Sequence, residues 1–299
     1  MRPRAGRVAA LRLGAGARWY VKKAARRGVA LASFASGSLL VRDAAATGPR
    51  LRAITYHRFG DVPADPYCVS PVAFAAQMRW LAERGLLVSL DDVQGFVAGH
   101  KELRPNSVLV TIDDGCRSLH SEALPILRDY RVPAVAFVSA GLIGTTTLSE
   151  DQPEPYASWD ELVELREAGV EIGSHAFDHR SLGRMDAAAA HDQAVRSREL
   201  ISQRVGSTTR SFAYPFGTHA DFDAATDRLL ADAGYQIAFN SLHGTIRPGM
   251  AAISLPRVKI EGGEGMRMFQ LACRGAMDAW RAVDDLLWRV QQSRIETRA

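Results

Sequence analysis

Cysteine is scarce in this sequence, which has three cysteines among 299 residues and no pair with CxxC spacing. Three widely separated thiols, Cys68, Cys116 and Cys273, exclude a disulfide framework and a zinc site built from thiolates. Small, partly buried thiols are the simpler interpretation of all three. Cys116 follows an Asp-Asp-Gly segment and could line a pocket, but no neighbour in the sequence marks it as a nucleophile.

Acidic residues are scarce in the first fifty positions, where Asp43 is the single acid among many arginines and lysines. The rest of the chain is therefore close to neutral or slightly acidic, although the whole chain has a net charge of +4. Outside this segment no basic stripe is interleaved with aromatic residues, so we expect no nucleic-acid partner. We predict a basic N-terminal extension over residues 1–49.

The sequence also has no long hydrophobic run. The apolar stretch over 28–41 follows the basic residues Lys22, Lys23, Arg26 and Arg27, but it is short and rich in Ser and Gly. A membrane span needs roughly 18 or more apolar residues. A signal-peptide core, a helix lying on an anionic membrane surface and a plain extension are equally compatible with it. We expect a location at the cell envelope or on a membrane, with peripheral membrane contact through this segment, and leave a cytoplasmic location open.

The composition is that of an ordinary globular protein, with 47% hydrophobic and 23% charged residues. Strand and helix signals alternate between Arg52 and Ile260, which predicts an α/β fold with mostly parallel strands closed into a distorted (β/α) barrel. One barrel over residues 50–262 suits the length. Apolar residues at helical spacing over 266–291 predict a C-terminal helix packed on the barrel, within residues 263–299.

Two short segments combine side chains that can bind a metal ion. Asp113 and Asp114 follow the predicted strand 107–112, and His175 and His179 follow the predicted strand 170–174. One carboxylate and two imidazoles leave a divalent ion with open positions, which is the catalytic pattern. The second carboxylate could then accept a proton from bound water.

Neither segment is specific alone, since paired aspartates also form phosphoryl or magnesium sites and most histidine pairs are solvated or buried in a core. Together, and at the strand ends where such barrels gather their chemistry, they predict a metal-dependent hydrolase. His57 and residues 214–217 also follow predicted strands.

Three segments resemble the motifs of the polysaccharide deacetylases of the NodB-homology class, carbohydrate esterase family 4. Residues 111–115 (TIDDG) resemble TFDDG, and residues 175–179 (HAFDH) resemble H-[ST]-x-x-H with Ala176 in place of Ser or Thr. Residues 210–217 (RSFAYPFG) resemble R-x-F-x-x-P-Y-G with Phe216 in place of Tyr. The resemblance extends from about Arg52 to Ile260 and implies the barrel fold of that class.

The resemblance implies a division of roles. Asp114, His175 and His179 bind the ion, for which zinc is expected although other first-row ions are compatible, and Asp113 is the general base. The segment 214–217 binds substrate: the backbone N–H of Phe216 stabilises the oxyanion, with Tyr214 and Pro215 beside it. Arg210 orients Asp113.

Two departures change the expected source of the catalytic acid. Neither a D-x-x-D-W motif nor the C-terminal L-x-H motif, which supplies an acid histidine, is present. Residues 54–57 (ITYH) are instead similar to the opening of the permuted branch that includes poly-N-acetylglucosamine deacetylases, so the resemblance implies His57 as the acid. A buried histidine bonded to backbone is the alternative. Residues 255–258 (LPRV) resemble the closing strand of that branch.

The expected function is removal of N-acetyl groups from an amino-sugar polysaccharide or glycolipid. One alternative keeps this chemistry but changes the acyl group or the carrier, as in deformylation of a lipid-linked sugar. Another is a catalytically silent carbohydrate-binding module on the same scaffold. Tyr67 and Trp159 could stack on sugar rings, and packing in the core explains them equally well.

Overall fold

The computed structural model describes residues 15–36, 50–146, 154–286 and 288, and strands alternate with helices through most of them. The strands are β1 (Leu51–Tyr56), β2 (Arg58–Phe59), β3 (Cys68–Val69), β4 (Ser107–Ile112), β5 (Val135–Val138), β6 (Glu171–Ser174), β7 (Ser211–Ala213), β8 (Ile237–Phe239) and β9 (Arg257–Lys259). The α-helices are α1 (Ala15–Ala35), α2 (Pro71–Glu83), α3 (Leu90–Val97), α4 (Leu124–Asp129), α5 (Trp159–Glu167), α6 (Ala187–Val205), α7 (Ala224–Asp232) and α8 (Met266–Cys273).

Seven of these strands form one parallel sheet in the order β8-β7-β6-β5-β4-β1-β9. The two edge strands approach each other, because Leu255, just before β9, exchanges backbone hydrogen bonds of 2.8 and 2.9 Å with Ala238 and Asn240. The sheet is therefore a nearly closed barrel, as the alternation of strands and helices predicts. Strands β2 and β3 pair separately beside it.

Alternation along each strand separates the interior of the barrel from its outer surface. Leu109, Val135 and Phe239 belong to the interior cluster, whereas their neighbours Val110 and Ala136 pack in the layer beneath the helices. Successive side chains of a strand point to opposite faces, so odd-numbered residues of β4 and β5 face inward. This parity determines which residues can reach a site at the mouth of the barrel.

The helices pack on the outside of the barrel through apolar faces, and capping residues in the sequence indicate where the helices begin. Helix α2 begins after Ser70, whose hydroxyl accepts a hydrogen bond from the Ala73 amide, with Pro71 in the first turn. Its residues Phe74, Met78 and Leu81 recur at helical spacing and are buried. Burial of such a face stabilises the helix against the sheet.

Helix α1 is joined to the barrel by buried ion pairs. Lys23 and Arg26 are almost fully buried and contact Glu261 and Glu264, at distances of 2.8 Å for Lys23–Glu261 and 2.6 Å for Arg26–Glu264. Lys22 also pairs with Glu261 at 2.7 Å. Of Lys22, Lys23, Arg26 and Arg27, the first three thus have acidic partners within the protein, and Lys23 and Arg26 are buried while Lys22 keeps 44% of its side chain exposed.

Residues 1–14 and 37–49 of the predicted extension lie outside the described residues, as do residues 147–153, 287 and 289–299. The extent of the N-terminal extension therefore stays a prediction. Within the part of the chain that the structure describes, no helix combines the length and the apolar character needed to cross a membrane.

The C-terminal segment is not the single continuous helix that its apolar spacing predicts. Helix α8 ends at Cys273, Gly275 adopts a φ of 93°, and a short 3-10 helix follows over Asp278–Trp280. A Cβ atom on Gly275 would lie 2.0 Å from a guanidinium nitrogen of the buried Arg52. The helix ends here because only glycine fits this backbone beside Arg52.

Candidate active site

Asp114, His175 and His179 form a cluster at the carboxyl ends of β4 and β6. One potential ligand atom from each residue lies within 4.8 Å of the other two. Asp114 Oδ1 is 3.6 Å from Nε2 of His175 and 3.3 Å from Nε2 of His179. A carboxylate and two imidazoles that converge in this way are a donor set that fits one divalent cation with open positions.

The surroundings of His175 determine which of its nitrogens faces the cluster. Nδ1 lies 2.6 Å from the carbonyl oxygen of Ala213. A carbonyl oxygen only accepts hydrogen bonds, so Nδ1 carries the proton and Nε2 presents a lone pair toward Asp114. Burial is the main effect that lowers the pKa of His175. Burial thus favours the neutral imidazole that a cation requires, and the hydrogen bond to Ala213 determines which nitrogen faces the cluster.

The charges of His179 and Asp114 are coupled. Burial lowers the pKa of His179, but the hydrogen bond and charge of Asp114 outweigh burial and raise it. Burial opposes ionisation of Asp114, and the neighbouring histidines nevertheless hold its pKa below the ordinary value. The carboxylate is therefore ionised and can neutralise positive charge in the cluster.

The backbone around the cluster is strained. Asp114, His179 and Phe216 have φ values of 75°, 54° and 61°, in the left-handed region that favours glycine. Such conformations cost on the order of 1–3 kcal/mol each and persist where the surrounding structure fixes them. These three strained residues lie close together. The fold therefore accepts a cost in stability here in order to point their side chains or backbone groups toward the cluster.

Asp113 lies beside the cluster and is held by Arg257 from β9. The two side chains make paired contacts of 2.7 Å, Nη1 to Oδ1 and Nη2 to Oδ2, and both are buried. Burial raises the pKa of Asp113, but the charge of Arg257, followed by that of His175, outweighs burial and lowers it. Asp113 is thus an ionised carboxylate fixed in direction by a bidentate partner.

Arg210 does not orient Asp113, contrary to the prediction. It precedes β7 and so lies at the amino end of that strand, where it pairs with Glu171 at 2.8 Å and with Asp91 at 2.6 Å. Asp113 follows the carboxyl end of β4, and parallel strands place these ends on opposite sides of the barrel. Arg257 takes the predicted role of Arg210, and the sequence signal for it was its position in the closing strand 255–258.

Tyr214 and Pro215 are also misplaced by the prediction, because both are buried away from the cavity. The Tyr214 hydroxyl donates to Asp227 at 2.6 Å, and the ring stacks on Phe222 outside the barrel. Ala213 faces inward, so strand alternation turns Tyr214 outward. Phe216 does line the cavity, with 57% of its surface exposed.

A cavity of about 650 Å³ opens above the cluster. Its remaining walls include His57, Tyr67, Cys116 and Lys259. Burial raises the pKa of Cys116 well above its ordinary value, so it lines the cavity as a neutral thiol. Trp159 is not part of the wall and packs instead against the outer core.

His57 and Lys259 lie against the same aromatic ring. The ring centroids of His57 and Tyr67 are 5.1 Å apart, and the Lys259 ammonium is 4.4 Å from the Tyr67 centroid. Nδ1 of His57 is buried with no hydrogen-bond partner among the described residues, and burial lowers the pKa of His57 to about 4. Burial also lowers the pKa of Lys259 to about 8. Sequence reasoning missed Lys259, whose signal is a lysine at the end of the closing strand.

Residues 100–238, which carry both aspartates and both histidines, match the family model for polysaccharide deacetylases. This chain contains a polysaccharide deacetylase domain. His57, Arg257 and Lys259 lie outside the matched range, so the barrel extends beyond the matched residues on both sides.

Known proteins resemble the deacetylase domain in sequence and in fold. The chain is 24% identical over 192 residues to the putative polysaccharide deacetylase YxkH of Bacillus subtilis, covering 64% of each protein. It is 25% identical over 259 residues to the poly-beta-1,6-N-acetyl-D-glucosamine N-deacetylase of Escherichia coli K12, covering 73% of this chain and 37% of that protein. The solved structure of IcaB from Ammonifex degensii superposes with a TM-score of 0.66 at 26% identity, covering 77% of this chain and 97% of that chain.

The chain spans less than two thirds of the length of these two curated relatives, at 64% and 37% of their sequences.

Proposed function

We propose that this chain is a cation-dependent hydrolase that removes N-acetyl groups from an amino-sugar polymer, cleaving a carbon–nitrogen bond that is not a peptide bond. The observation that carries the proposal is the convergence of Asp114, His175 and His179 beside the Arg257-bound Asp113. The family match and the names of the relatives support a polysaccharide of the poly-N-acetylglucosamine type as the substrate.

The three clustered side chains would hold the cation, and zinc or another first-row ion suits two imidazoles and one carboxylate. When bound, the cation lowers the pKa of water and polarises the amide carbonyl of the substrate. The remaining steps fall to residues of the chain itself.

Asp113 is the general base in this proposal. Its carboxylate is kept ionised and pointed by Arg257, so it can accept a proton from the attacking water. The backbone N–H of Phe216, on the strained turn at the lip of the cavity, would donate to the oxyanion. The motif that residues 210–217 resemble has a tyrosine where this chain has Phe216. The missing hydroxyl does not affect this role, because the donor is the backbone N–H.

Proton delivery to the departing amine falls to His57, as the resemblance implies, with Lys259 as the source of the proton. A pKa of about 4 leaves the His57 imidazole neutral at pH 7, whereas a pKa of about 8 keeps Lys259 charged. Both groups line the cavity and contact Tyr67. The products are acetate and a free amino sugar.

The test combines acetate release from N-acetylated oligosaccharides with measurement of bound metal. Asp113→Asn should keep the metal and lose turnover, because only the base is removed. His179→Ala should lose the metal and turnover together. Equal loss of metal in both variants would show that the division of roles is wrong.

Metal binding without acyl release from any amino sugar would favour the silent carbohydrate-binding module over the hydrolase. Release of formate but not acetate would identify the alternative acyl group. Location at the cell envelope stays a prediction, which fractionation of the source cells would check.

A further inference from the structure

A second cavity of about 530 Å³ adjoins the active-site cavity on the side of Phe216. The two share His179, Phe216 and Thr218 in their walls. The residues that line only the second cavity, called here the flanking cavity, are Arg180, Ser181, Arg184, Met185 and Asp221. A ligand bound at the cluster can therefore continue past Phe216 without leaving the surface of the protein.

The walls of the flanking cavity are fixed to each other. The Gly183 amide donates to the Asp221 carbonyl at 3.0 Å, and the Thr218 amide donates to Asp221 Oδ2 at 3.0 Å. A Cβ atom on Gly183 would lie 2.8 Å from the Ala220 carbonyl oxygen, so the two loops touch closely. The cavity is thus built from the packed backbone of two loops, and it is preformed.

Two polar atoms in this wall have no hydrogen-bond partner among the described residues. Ser181 is only 8% exposed and its Oγ makes no hydrogen bond, and Oδ1 of the buried Asp221 accepts no hydrogen bond either, although it forms an ion pair. The nearest cation to Asp221 Oδ1 is Arg184 Nε, at 3.7 Å. Buried polar atoms are almost always hydrogen-bonded in folded proteins, so these two are groups that a ligand could satisfy.

The charge of the flanking cavity is positive. Arg180 and Arg184 are exposed, and Asp221 is the single carboxylate opposite them. A guanidinium presents a planar fork of donors that matches a carboxylate or a phosphate. Phe216 adds an exposed ring at the entrance, against which a sugar ring can pack.

We propose that the flanking cavity binds the sugar unit next to the acylated one, and that this neighbouring unit carries a carboxylate or a phosphate. Arg180 and Arg184 bind the anionic group, while Ser181 and Asp221 bond hydroxyl groups of the same sugar. The inference rests on the proposed function for the identity of the acylated unit, and it specifies a polymer of the poly-N-acetylglucosamine type that carries anionic groups, in place of the plain neutral homopolymer.

The experiment measures binding by calorimetry in the Asp113→Asn background, so that turnover does not interfere. One pair of probes is the hyaluronan tetrasaccharide, which alternates N-acetylglucosamine with glucuronic acid, and its carboxyl-reduced, neutral counterpart. A second pair is the N-acetylglucosamine disaccharide with a phosphate on its second sugar and the same disaccharide without the phosphate. Each pair differs in the anionic group alone, and the two pairs separate a carboxylate from a phosphate.

We expect at least one anionic probe to bind about tenfold more tightly than its neutral partner, as expected for a charge-assisted hydrogen-bonded contact. The double substitution Arg180→Gln and Arg184→Gln should abolish this difference. The matched control, Arg79→Gln with Arg128→Gln, removes the same charge from exposed helical sites away from the cavity and should keep it. Equal affinity for both members of both pairs, or a preference that survives the first double substitution, would overturn the proposal.

Failure of the subsite is distinguishable from failure of the proposed function. Acetate release from the neutral tetrasaccharide by the unmodified protein tests the hydrolase alone, whereas the binding measurements test the flanking cavity alone.

Discussion

Asp113 is a buried carboxylate whose charge is favoured mainly by one partner, Arg257. Arg257 supplies two hydrogen bonds of 2.7 Å and is itself fully buried. A further buried bond, from Arg257 Nη1 to the Thr111 hydroxyl at 3.2 Å, holds the guanidinium beside the base. Arg257 therefore fixes the direction of Asp113 and makes the largest contribution to its lowered pKa, followed by His175.

Arg257→Gln should lower kcat/KM by at least about 100-fold, the scale of a general-base contribution. Because Arg257 outweighs burial and lowers the pKa of Asp113, its removal raises that pKa, and the acidic limb of the pH–rate profile moves to higher pH. Arg210→Gln is the control and should leave both the rate and the limb unchanged. A profile that moves in Arg210→Gln instead would restore the predicted role of Arg210.

The ionisation of Lys259 predicts how kcat/KM changes at alkaline pH. Its pKa of about 8 means that the ammonium is present below pH 8 and is lost above it. We expect kcat/KM of the unmodified protein to fall above about pH 8, and Lys259→Arg to move this fall to higher pH because arginine keeps its proton. An alkaline limb that is unchanged in Lys259→Met would exclude Lys259 as the proton source.

The three proposed metal ligands could be predicted from sequence for two reasons. They directly follow predicted strands, and carboxylates and imidazoles are side chains that bind divalent cations. The motif resemblance did not predict which way each side chain points. Tyr214 was assigned to the site from its place in residues 210–217, yet strand alternation turns it outward toward Asp227. Arg257 could not be found from spacing, since only the closure of β9 against β1 brings it next to Asp113.

Among the elements, helix α1 supports the active-site end of β9. Arg26 Nη2 donates to the Lys259 carbonyl at 2.9 Å, and its neighbour Lys23 pairs with Glu261, two residues beyond Lys259. A helix near the start of the chain thus fixes the backbone of a residue in the catalytic cavity. We infer that α1 is part of the working structure of the barrel.

Because Glu261 pairs with cations of α1, the stability that this contact contributes should depend on pH. Burial opposes its ionisation, but Arg26, Lys22 and Lys23 outweigh burial and lower its pKa from 4.5 to about 2. A depressed pKa contributes stability that is present above pH 4.5 and is lost as the pH falls toward 2. We expect the melting temperature of the unmodified protein to fall more steeply across this range than that of Glu261→Gln.

At pH 7 the same substitution should lower the free energy of unfolding by about 1.5–3 kcal/mol, because the buried Lys23 loses its partner at 2.8 Å and keeps only Glu264 at 3.6 Å. Glu83→Gln, which removes one partner of an exposed pair with Arg79, should cost at most about 1 kcal/mol. Equal effects in the two variants, measured by chemical denaturation, would show that α1 is not anchored by this cluster.

Element type was more predictable than element length. Ser70 and Pro71 mark the start of α2 in the sequence, and the structure begins that helix at Pro71. The prediction of one continuous C-terminal helix was wrong, because the spacing of apolar residues does not show that the chain turns at Gly275. A glycine is required there because Arg52 packs against its backbone. That packing joins residues more than two hundred positions apart, at a range where local patterns do not apply.

In the whole molecule, the barrel brings together side chains that no single element could place. The proposed base and ligands follow β4 and β6, and the groups beside them come from β1 and β9. Because the cluster exists only when these strands are assembled, a cation that binds it stabilises the folded state.

We expect a saturating divalent cation to raise the free energy of unfolding, by about 2.7 kcal/mol at a concentration of 100 Kd. The melting temperature should rise accordingly and return to its starting value when a chelator is added. His179→Ala should show no rise over the same concentration range. A rise of equal size in that variant would place the stabilising ion elsewhere on the protein.

The pairing of Asp113 with Arg257 also bears on how the protein is made. The two residues are 144 positions apart, so a ribosome adding about 5–20 residues per second needs roughly 7–30 seconds to pass from one to the other. Throughout that interval a nascent chain holds a carboxylate whose counter-charge has not yet been synthesised. A product truncated before residue 257 would lack both Arg257 and strand β9, so its Asp113 would have no bidentate partner.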